Sequence, residues 1–310
     1  MELIFVLLLA LAIDASLGEP PLPMHPVVWI GKGISLLERF APIQSKRAQL
    51  LYGIFIVLLT IIIFALPVYF LLFYVKQVGP IAYIIGSALL LKPAFSLKEL
   101  RHSALEVKVL LSKDNLEDAR AKMPALVSRE TQNLEKPALV SATLESVAEN
   151  MCDSFVAPLF YFLLLGVPGA IAYRVANTSD AMIGYHGKYE YLGKFSAKLD
   201  DVLNFIPARI SGLLLVVAAY AYRKDGRNAW RTMLRDHGRT ESPNAGWSMS
   251  AAAGALRVRL DKAGCYCLGQ TSNHLSPQLI VSGMNLATVA AILWVLSCLI
   301  LEVAYFVFIA

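Results

Sequence analysis

Charged residues are scarce in this sequence of 310 residues. Only 16% of the chain is Asp, Glu, Lys or Arg, against about a quarter in an average soluble domain, whereas 57% is hydrophobic. The net charge of +5 is modest, and the basic residues are spread over several loops. This distribution excludes the basic stripe that is typical of nucleic-acid-binding proteins. The composition therefore indicates a membrane protein that binds no nucleic acid.

Cysteine and the common nucleotide-binding motifs are also lacking. The four cysteines include one close pair, Cys265 and Cys267, without the second pair or the histidines of a zinc site. There is no G-x-x-x-x-G-K-[ST] loop and no G-x-G-x-x-G fingerprint. Nucleophile elbows and H-E-x-x-H motifs are absent as well. A nucleotide site in this chain must therefore be built in another way.

Long apolar runs predict the fold class. Leu50–Val75 and Leu279–Leu301 are long enough to span a membrane, which takes about 20 apolar residues. Ile81–Leu91 follows a Gly-Pro turn and predicts the second arm of a hairpin. Three other runs are short or interrupted by proline and glycine: Leu3–Ile13, Ser154–Tyr173 and Ile210–Tyr222. We predict an all-α polytopic membrane protein with about five to six hydrophobic segments, some of them broken or re-entrant.

The polar segments between these runs predict the topology. Lys32–Arg47 and residues 92–150 flank the predicted hairpin, lie on one side of the membrane and are basic. The positive-inside rule places them in the cytoplasm. We predict a single integral membrane domain over residues 1–310, with a cytoplasmic helical insertion at 92–150 and a cytoplasmic polar region at 223–278. The protein is expected in the cell membrane, multi-pass, with its active site facing the cytoplasm.

Three acids stand four residues apart just before the third apolar run. Glu145, Glu149 and Asp153 fall on one face of an α-helix, with Asn150 beside them. Like charges at this spacing weaken a helix, and acids at a membrane edge are costly unless they are used. Carboxylates on one face are able to hold Mg²⁺ and, through it, phosphate oxygens. The alternative is a solvated helix end.

Two further polar groups flank the broken segments. Asn177 and Asp180, in "NTSDAMIGY", suit either a helix cap or metal coordination. In "SAKLDDVLNFIPAR", the adjacent aspartates face different ways, whereas Asp201 shares a helix face with Asn204. Arg209 follows them and is suited to neutralising a phosphate. The alternative is a charged helix end, with a break at Pro207.

Two further stretches of interest are rich in small residues or in proline. "SPNAGWSMSAAAGAL" contains Ser242 and Asn244 before a run of small residues. A Ser/Asn turn into a helix offers N–H donors to an anion, and the alternative is a tight turn followed by a packing helix. Near the start, "DASLGEPPLPMHPVVWIGK" contains four prolines, which predict an extended turn rather than a helix.

Taken in order, these stretches resemble one family over most of the chain. "DASLGEPP", "HPVVWIGK", "ESVAENMCDSFVAPLF", "GKFSAKLDDVLNFIPARI" and "SPNAGWSMSAAAGAL" look like the CobD/CbiB membrane proteins of cobalamin biosynthesis, the adenosylcobinamide-phosphate synthases. One departure is "SRET" at 128–131, where the family commonly has Gly-Arg-Asp-Thr.

The resemblance implies ATP-dependent amide ligation. A propionate carboxylate of the corrinoid adenosylcobyric acid would be joined to the amine of (R)-1-amino-2-propanol phosphate or a related amino-alcohol phosphate. Phosphorylation turns the carboxylate into an acyl phosphate with a good leaving group, which the amine attacks. ATP and Mg²⁺ are the implied cofactors. Membrane lipid and other cobalamin-assembly enzymes are the implied partners.

The same resemblance suggests roles for three sets of residues. Catalysis is expected to involve Glu149, Asp153 and Asp201, and the metal is expected to be held by Glu145, Glu149, Asp153 and Asp180. Substrate and phosphate groups are expected to contact Arg129, Thr131, Asn150, Arg174, Asn177, Arg209, Ser242 and Asn244. The competing hypothesis is a Mg²⁺-dependent membrane prenyltransferase or CDP-alcohol phosphotransferase, which would also place acids at the membrane surface.

Overall fold

The protein is helical almost throughout its described length. A computed structural model describes residues 2–21, 23, 25–42, 45–270 and 272–308. Within these ranges the α-helices are α1 (Glu2–Leu17), α2 (Pro26–Glu38), α3 (Lys46–Val78), α4 (Pro80–Leu91), α5 (Lys98–Ser112), α6 (Leu116–Lys122), α7 (Lys136–Met151), α8 (Ala157–Ile183), α9 (Lys194–Leu203), α10 (Phe205–Ala221), α11 (Gly226–Asp236), α12 (Ala245–Leu256) and α13 (Pro277–Phe308). The strands β1 (Arg259–Lys262) and β2 (Tyr266–Gly269) pair as an antiparallel hairpin.

The predicted polytopic membrane fold is confirmed. Four described helical stretches are long and apolar enough to cross a membrane, namely Lys46–Val78, Pro80–Ser112, Lys136–Ile183 and Pro277–Phe308. The bent pair α9–α10 makes a fifth if it is one span. The helix that contains the predicted segment Leu3–Ile13 has 16 residues and is shorter than these. Residues 92–150 are helical as predicted, but their two ends continue into candidate spans.

The predicted breaks are present, and their positions have physical causes. Gly166 interrupts α8 with φ 67° and ψ −164°, a backbone conformation that glycine adopts at low cost, and Pro168 follows it. A π-helical turn, Cys152–Val156, separates α7 from α8. The break between α9 and α10 lies at Asn204 rather than at Pro207. Pro207 stands in the first turn of α10, where its missing N–H costs nothing.

One sequence expectation and one of two open alternatives about helix ends are wrong. The proline-rich stretch from Asp14 onward is not an extended turn throughout, because Asp14 lies in α1 and Pro26 begins α2. Proline is favoured at a first helical position, where its fixed φ suits the helix, and the His25 side chain caps α2. Asn177 and Asp180 are not a helix cap, because α8 continues past them to Ile183.

The chain divides into two compact units. The first contains Met1–Ser96, Ala157–Asn204 and Cys298–Ala310, and the second contains Leu97–Val156 and Phe205–Ser297. In the first unit, an apolar core joins α2, α3 and α8 through Ile34, Ile56 and Val175, which are fully buried.

A buried charge cluster ties the beginning of the chain to the end of α4 in the first unit. The Lys92 ammonium lies 3.1 Å from the Asp14 carboxylate and 2.5 Å from the Glu19 carboxylate, and its side chain is 4% exposed. Glu19 also contacts His25 Nε2 at 2.7 Å. Because His25 Nδ1 accepts the Val27 N–H, the ring proton lies on Nε2 and is donated to Glu19.

This cluster fixes the ionisation of Glu19. Burial alone would raise the pKa of the carboxyl, but hydrogen bonds from His25, Lys92 and Ser96 outweigh it and lower the pKa to about 2. Because the folded pKa lies below the ordinary value of 4.5, the stabilisation is present above pH 4.5 and is lost as the pH falls towards 2.

In the second unit, α12 is buried along its whole length and packs closely against α11. A Cβ on Gly254 would lie 2.6 Å from the Asn228 carbonyl oxygen, so the two helices approach more closely than a larger residue permits. The packing helix of small residues, which the sequence offered as the alternative to an anion-binding turn, is therefore present. The β-hairpin is attached to the end of α11, because the Gly269 N–H of β2 donates to the buried Asp236 carboxylate at 2.9 Å.

We expect Lys92→Met to lower the free energy of unfolding by about 3–5 kcal/mol, because Asp14 and Glu19 would remain buried without a countercharge. Lys76→Met is the matched control, since the Lys76–Glu2 ion pair is exposed and is worth at most about 1 kcal/mol. Unfolding of the full chain in detergent, followed by circular dichroism, measures both. Equal losses for the two variants would contradict the structural role of the cluster.

Candidate active site

A small polar cavity of about 120 Å³ lies within the second unit. Its lining comes from three separate parts of the chain: the loop before α7, the polar face of α7, and the β-hairpin. The lining residues are Leu126, Val127, Ser128, Arg129, Glu145, Ser146, Glu149, Lys262 and Tyr266. The cavity therefore brings together three of the predicted site residues, Arg129, Glu145 and Glu149.

Glu145, on α7, connects the three parts of the cavity lining. Its carboxylate accepts a hydrogen bond from Ser141 Oγ at 2.7 Å and another from the Tyr266 hydroxyl at 2.8 Å. An ion pair joins it to Arg129 Nη1 at 3.1 Å. Ser141 Oγ in turn accepts the Asp261 N–H of β1 at 3.0 Å. A buried carboxylate is stable only when it is paired and hydrogen-bonded, and these contacts meet that requirement.

Tyr266 keeps its proton in this environment. Burial is the largest cause that raises the pKa of its phenol, and the neighbouring Glu145 charge raises it further. The hydroxyl therefore remains a donor across the physiological pH range, which keeps β2 fastened to α7.

Two cationic side chains face the same cavity. Arg129 is held near α7 because Ser146 Oγ donates to the Leu126 carbonyl at 2.6 Å. Its buried Nε has no hydrogen-bond partner among the described residues, so one N–H donor of the guanidinium is unused. Lys262 lies over the Tyr266 ring, with its Nζ 6.0 Å from the ring centroid. Two cations around a small cavity suit a phosphate or carboxylate group.

Two of the three acids predicted on one helix face line the cavity. Glu145 and Glu149 both lie in α7 and line the cavity, whereas Asp153 falls in the π-helical turn and is not among the described lining residues. A π turn adds a residue and rotates the subsequent side chains relative to α-helical spacing. Asn150 is engaged within the helix, since its Nδ2 donates to the Ser146 carbonyl at 3.0 Å.

A second cluster in this unit surrounds the beginning of α12. Arg209 Nη1 donates to Asn244 Oδ1 at 3.4 Å, and Ser242 Oγ accepts the Asn244 N–H at 3.2 Å. The Arg209 guanidinium stacks over the Phe205 ring at 3.5 Å and lies 4.8 Å from the Trp247 ring. The structure thus brings together three residues that the sequence predicted as phosphate ligands.

The first unit contains a separate polar network. Asn177 Nδ2 donates to Asp200 Oδ1 at 3.2 Å, and Asn204 Nδ2 donates to Asp200 Oδ2 at 2.9 Å. Arg174 Nη1 donates to Asn177 Oδ1 at 3.4 Å. Asp200 therefore joins the predicted residues Arg174 and Asn177. The sequence predicted its neighbour Asp201 as a site residue instead.

The remaining predicted site residues are Thr131, Asp180 and Asp201. Thr131 is buried, and its hydroxyl donates to the Arg120 carbonyl at 3.3 Å. Asp180 lies in α8 and Asp201 in α9, and both are partly exposed. In the part of the chain that the structure describes, no group of three or more His, Cys, Asp or Glu side chains is arranged to hold a metal ion. The metal and catalytic assignments stay predictions.

Comparison with known proteins gives the family. The model of the CobD/Cbib protein family matches residues 7–283, a range that contains every residue of the cavity and of both clusters. The chain belongs to the CobD/CbiB family.

Its relatives are named as cobalamin biosynthesis proteins. "Cobalamin biosynthesis protein CobD" of Dehalococcoides mccartyi is 52% identical over 296 residues, 96% of each chain. "Probable cobalamin biosynthesis protein CobD" of Methanothermobacter thermautotrophicus is 42% identical over 96% of this chain and 97% of its own. The protein of that name from Methanocaldococcus jannaschii is 37% identical over 85% and 87%. No solved structure matches the chain.

Two polar residues that line the cavity of this CobD/CbiB chain, Lys262 and Tyr266, were not predicted from the sequence. Tyr266 and Lys262 lie on the β-hairpin, in a region predicted only as polar. A signal was available, because residues 257–261, R-V-R-L-D, alternate charged and apolar side chains as a strand does. Gly264, with φ 73°, provides the tight connection to β2.

We expect Glu145→Gln in this CobD/CbiB chain to lower the free energy of unfolding by about 2–3 kcal/mol, because the charge-assisted contact with Arg129 is lost in a buried site. The matched control is Glu135→Gln, since Glu135 is exposed and its side chain caps nothing in α7. Denaturant unfolding of both variants in detergent measures the difference. A Glu145→Gln variant as stable as its control would refute the central role of this carboxylate.

Proposed function

We propose that this chain is an adenosylcobinamide-phosphate synthase. It would join the propionate carboxylate of adenosylcobyric acid to the amine of 1-amino-2-propanol phosphate, or of a related amino-alcohol phosphate, at the expense of ATP. Membership of the CobD/CbiB family supports a role in cobalamin biosynthesis. The structural observation that carries the proposal is the cavity in which Arg129, Glu149 and Lys262 meet.

The reaction determines what the site must do. The substrate carboxylate accepts the terminal phosphoryl group of ATP and releases ADP. The amine nitrogen then bonds to the acyl carbon, phosphate leaves with the electrons of the C–O bond, and the nitrogen gives up a proton to a base. Such a site needs cations for the phosphates and an acceptor for that proton.

The cations of the cavity suit the phosphate groups. Arg129 pairs with Glu145 through Nη1, and its buried Nε has no hydrogen-bond partner among the described residues. A bound anion would accept a hydrogen bond from this nitrogen. A guanidinium fixed by a carboxylate is already oriented and loses little freedom on binding a phosphate. We assign Arg129 and Lys262 to a phosphate or carboxylate of the substrates.

The acids of the cavity divide into two roles. Glu145 is committed to Ser141, Tyr266 and Arg129, which makes it a positioning residue for Arg129 and the hairpin. Glu149 lines the same cavity one turn along α7. Mg²⁺ is commonly held by one or two protein carboxylates together with substrate phosphates and water, and Glu149 fits that requirement. When bound, Mg²⁺ would neutralise the phosphate charge.

The cluster around α12 is the proposed second anion site. Arg209, Ser242 and Asn244 meet at the beginning of a helix of 12 residues. Free N–H groups and the helix dipole favour an anion at such a position. The phosphate of the amino alcohol is our assignment for this site. The basic loops support an active site that faces the cytoplasm.

Purified full-length protein, supplied with adenosylcobyric acid, ATP, Mg²⁺ and aminopropanol phosphate, tests the proposal. The expected result is a new amide product by mass spectrometry, formed with one ADP per amide and abolished by EDTA. If the enzyme left these substrates unchanged but transferred a phosphoalcohol or prenyl group to a lipid acceptor, the alternative reaction would replace the proposal.

We expect Glu149→Gln to lower the rate of amide formation by about 100-fold or more, since the substitution removes the charge that would hold the metal. Glu135→Gln, at the exposed beginning of the same helix, should retain the wild-type rate. Product formation at saturating substrates, compared across a Mg²⁺ titration, measures both. A normal rate for Glu149→Gln would refute its role.

A further inference from the structure

A basic groove lies in the second unit, away from the cavity and the α12 cluster. One part of about 490 Å³ is lined by Arg223, Lys224, Asp225, Ala255, Leu256, Arg257, Asn273 and Leu279. An adjoining part of about 380 Å³ is lined by Asp225, Arg227, Asn228, Arg231, Arg257, Gln270 and Ser272. Asp225 and Arg257 line both parts, and the two parts together are here called the basic groove.

The groove has a large excess of positive charge. Five of its lining residues are cationic and only Asp225 is acidic. Asp225 is already engaged, because its carboxylate contacts Arg257 Nη2 at 2.6 Å and caps α11 by accepting the Asn228 N–H at 2.9 Å. Among the described residues, none of the other four cations, Arg223, Lys224, Arg227 and Arg231, has an acidic side chain within 4.0 Å.

The helix dipole explains the positions of only some of these cations. Arg223 and Arg257 follow the C-terminal ends of α10 and α12, where the helix dipole favours cations. Both stand at left-handed positions, with φ of 52° and 53°, where glycine is usual. Arg227, however, lies in the first turn of α11, where the dipole disfavours a cation, and Arg231 lies in the middle of that helix. The helix dipole therefore does not account for these two exposed arginines, of which Arg227 also interacts electrostatically with Asp225.

The exposed side of α11 adds apolar surface beside the arginines. Trp230 is 42% exposed and Leu234 is 49% exposed. The opposite side of the helix is buried through Ala229, Met233 and Asp236. A helix that presents Trp and Leu next to arginines is typical of one lying in the plane of a membrane interface.

The groove lies next to the ends of two apolar helices. The apolar helix α10 ends at Ala221, two residues before Arg223. The candidate span α13 begins at Pro277, and its Leu279 lines the groove. Basic clusters next to membrane helices attract anionic lipids.

We propose that the basic groove binds the headgroup phosphate of an anionic phospholipid, with Arg227 and Arg231 on the phosphate and Trp230 and Leu234 against the acyl chains. The guanidinium groups would donate paired hydrogen bonds to phosphate oxygens. This site is independent of the proposed ligase reaction, because none of its residues lines the cavity or the α12 cluster.

Titration of the full chain in a neutral detergent with short-chain phosphatidylglycerol or phosphatidylcholine tests the proposal. Tryptophan fluorescence reports binding, and Trp230→Phe identifies the part of the signal that arises in the groove. We expect phosphatidylglycerol to bind and phosphatidylcholine to bind much more weakly. Because each arginine near an anionic surface contributes about fivefold, Arg227→Gln/Arg231→Gln should weaken the binding by about 25-fold.

The matched control removes two exposed cations that do not line the groove, as Lys113→Gln/Lys198→Gln. This control should bind phosphatidylglycerol as the wild type does. Equal affinity for the two lipids, or equal affinity of the two double variants, would overturn the proposal. Competition by glycerol phosphate at concentrations equal to those of the lipid would show that the groove takes a soluble phosphate and would overturn the assignment to lipid.

Discussion

The second unit is organised around the requirement that the buried Glu145 carboxylate be fully compensated. A charge in a low-dielectric interior is costly unless hydrogen bonds and a countercharge surround it. Ser141, Tyr266 and Arg129 meet this requirement from three parts of the chain. The same contacts that stabilise the charge therefore place the hairpin and the loop before α7 around one cavity. The shape of the candidate active site follows from the compensation of one carboxylate.

The first unit shows the same principle in a different place. Lys92, with Asp14 and Glu19 around it, holds the connection after α1 against the end of α4. His25 joins this cluster while also capping α2, so one side chain serves the charge network and the helix start. In a chain with few charged residues, those that are buried fix the arrangement of otherwise uniform apolar helices, which dispersion forces alone distinguish poorly.

Polar residues of the predicted sites lie beside interruptions of the apolar helices. Asp153 lies in the π turn after α7, and Asn204 marks the break between α9 and α10. Irregular backbone at membrane depth is tolerated only where protein or a polar cavity surrounds it. The Asn177–Asp200–Asn204 network provides such polar surroundings near one break. That the acids of different segments share one divalent ion stays a prediction.

The sequence by itself determined the membrane fold, the broken helices and the family resemblance, because apolar run length and proline and glycine positions are local properties. That Arg129 lines one cavity with Glu145 and Glu149 was decided by the tertiary structure, which brings the loop before α7 against that helix. The sequence did not determine that Asp153 lies in a π-helical turn, since a π turn cannot be read from spacing. Nor did it show that Asp200 accepts a hydrogen bond from Asn177. The roles of Tyr266 and Lys262 also required the tertiary structure, because a contact over 121 residues of chain, from Glu145 to Tyr266, arises only when the hairpin packs on α7.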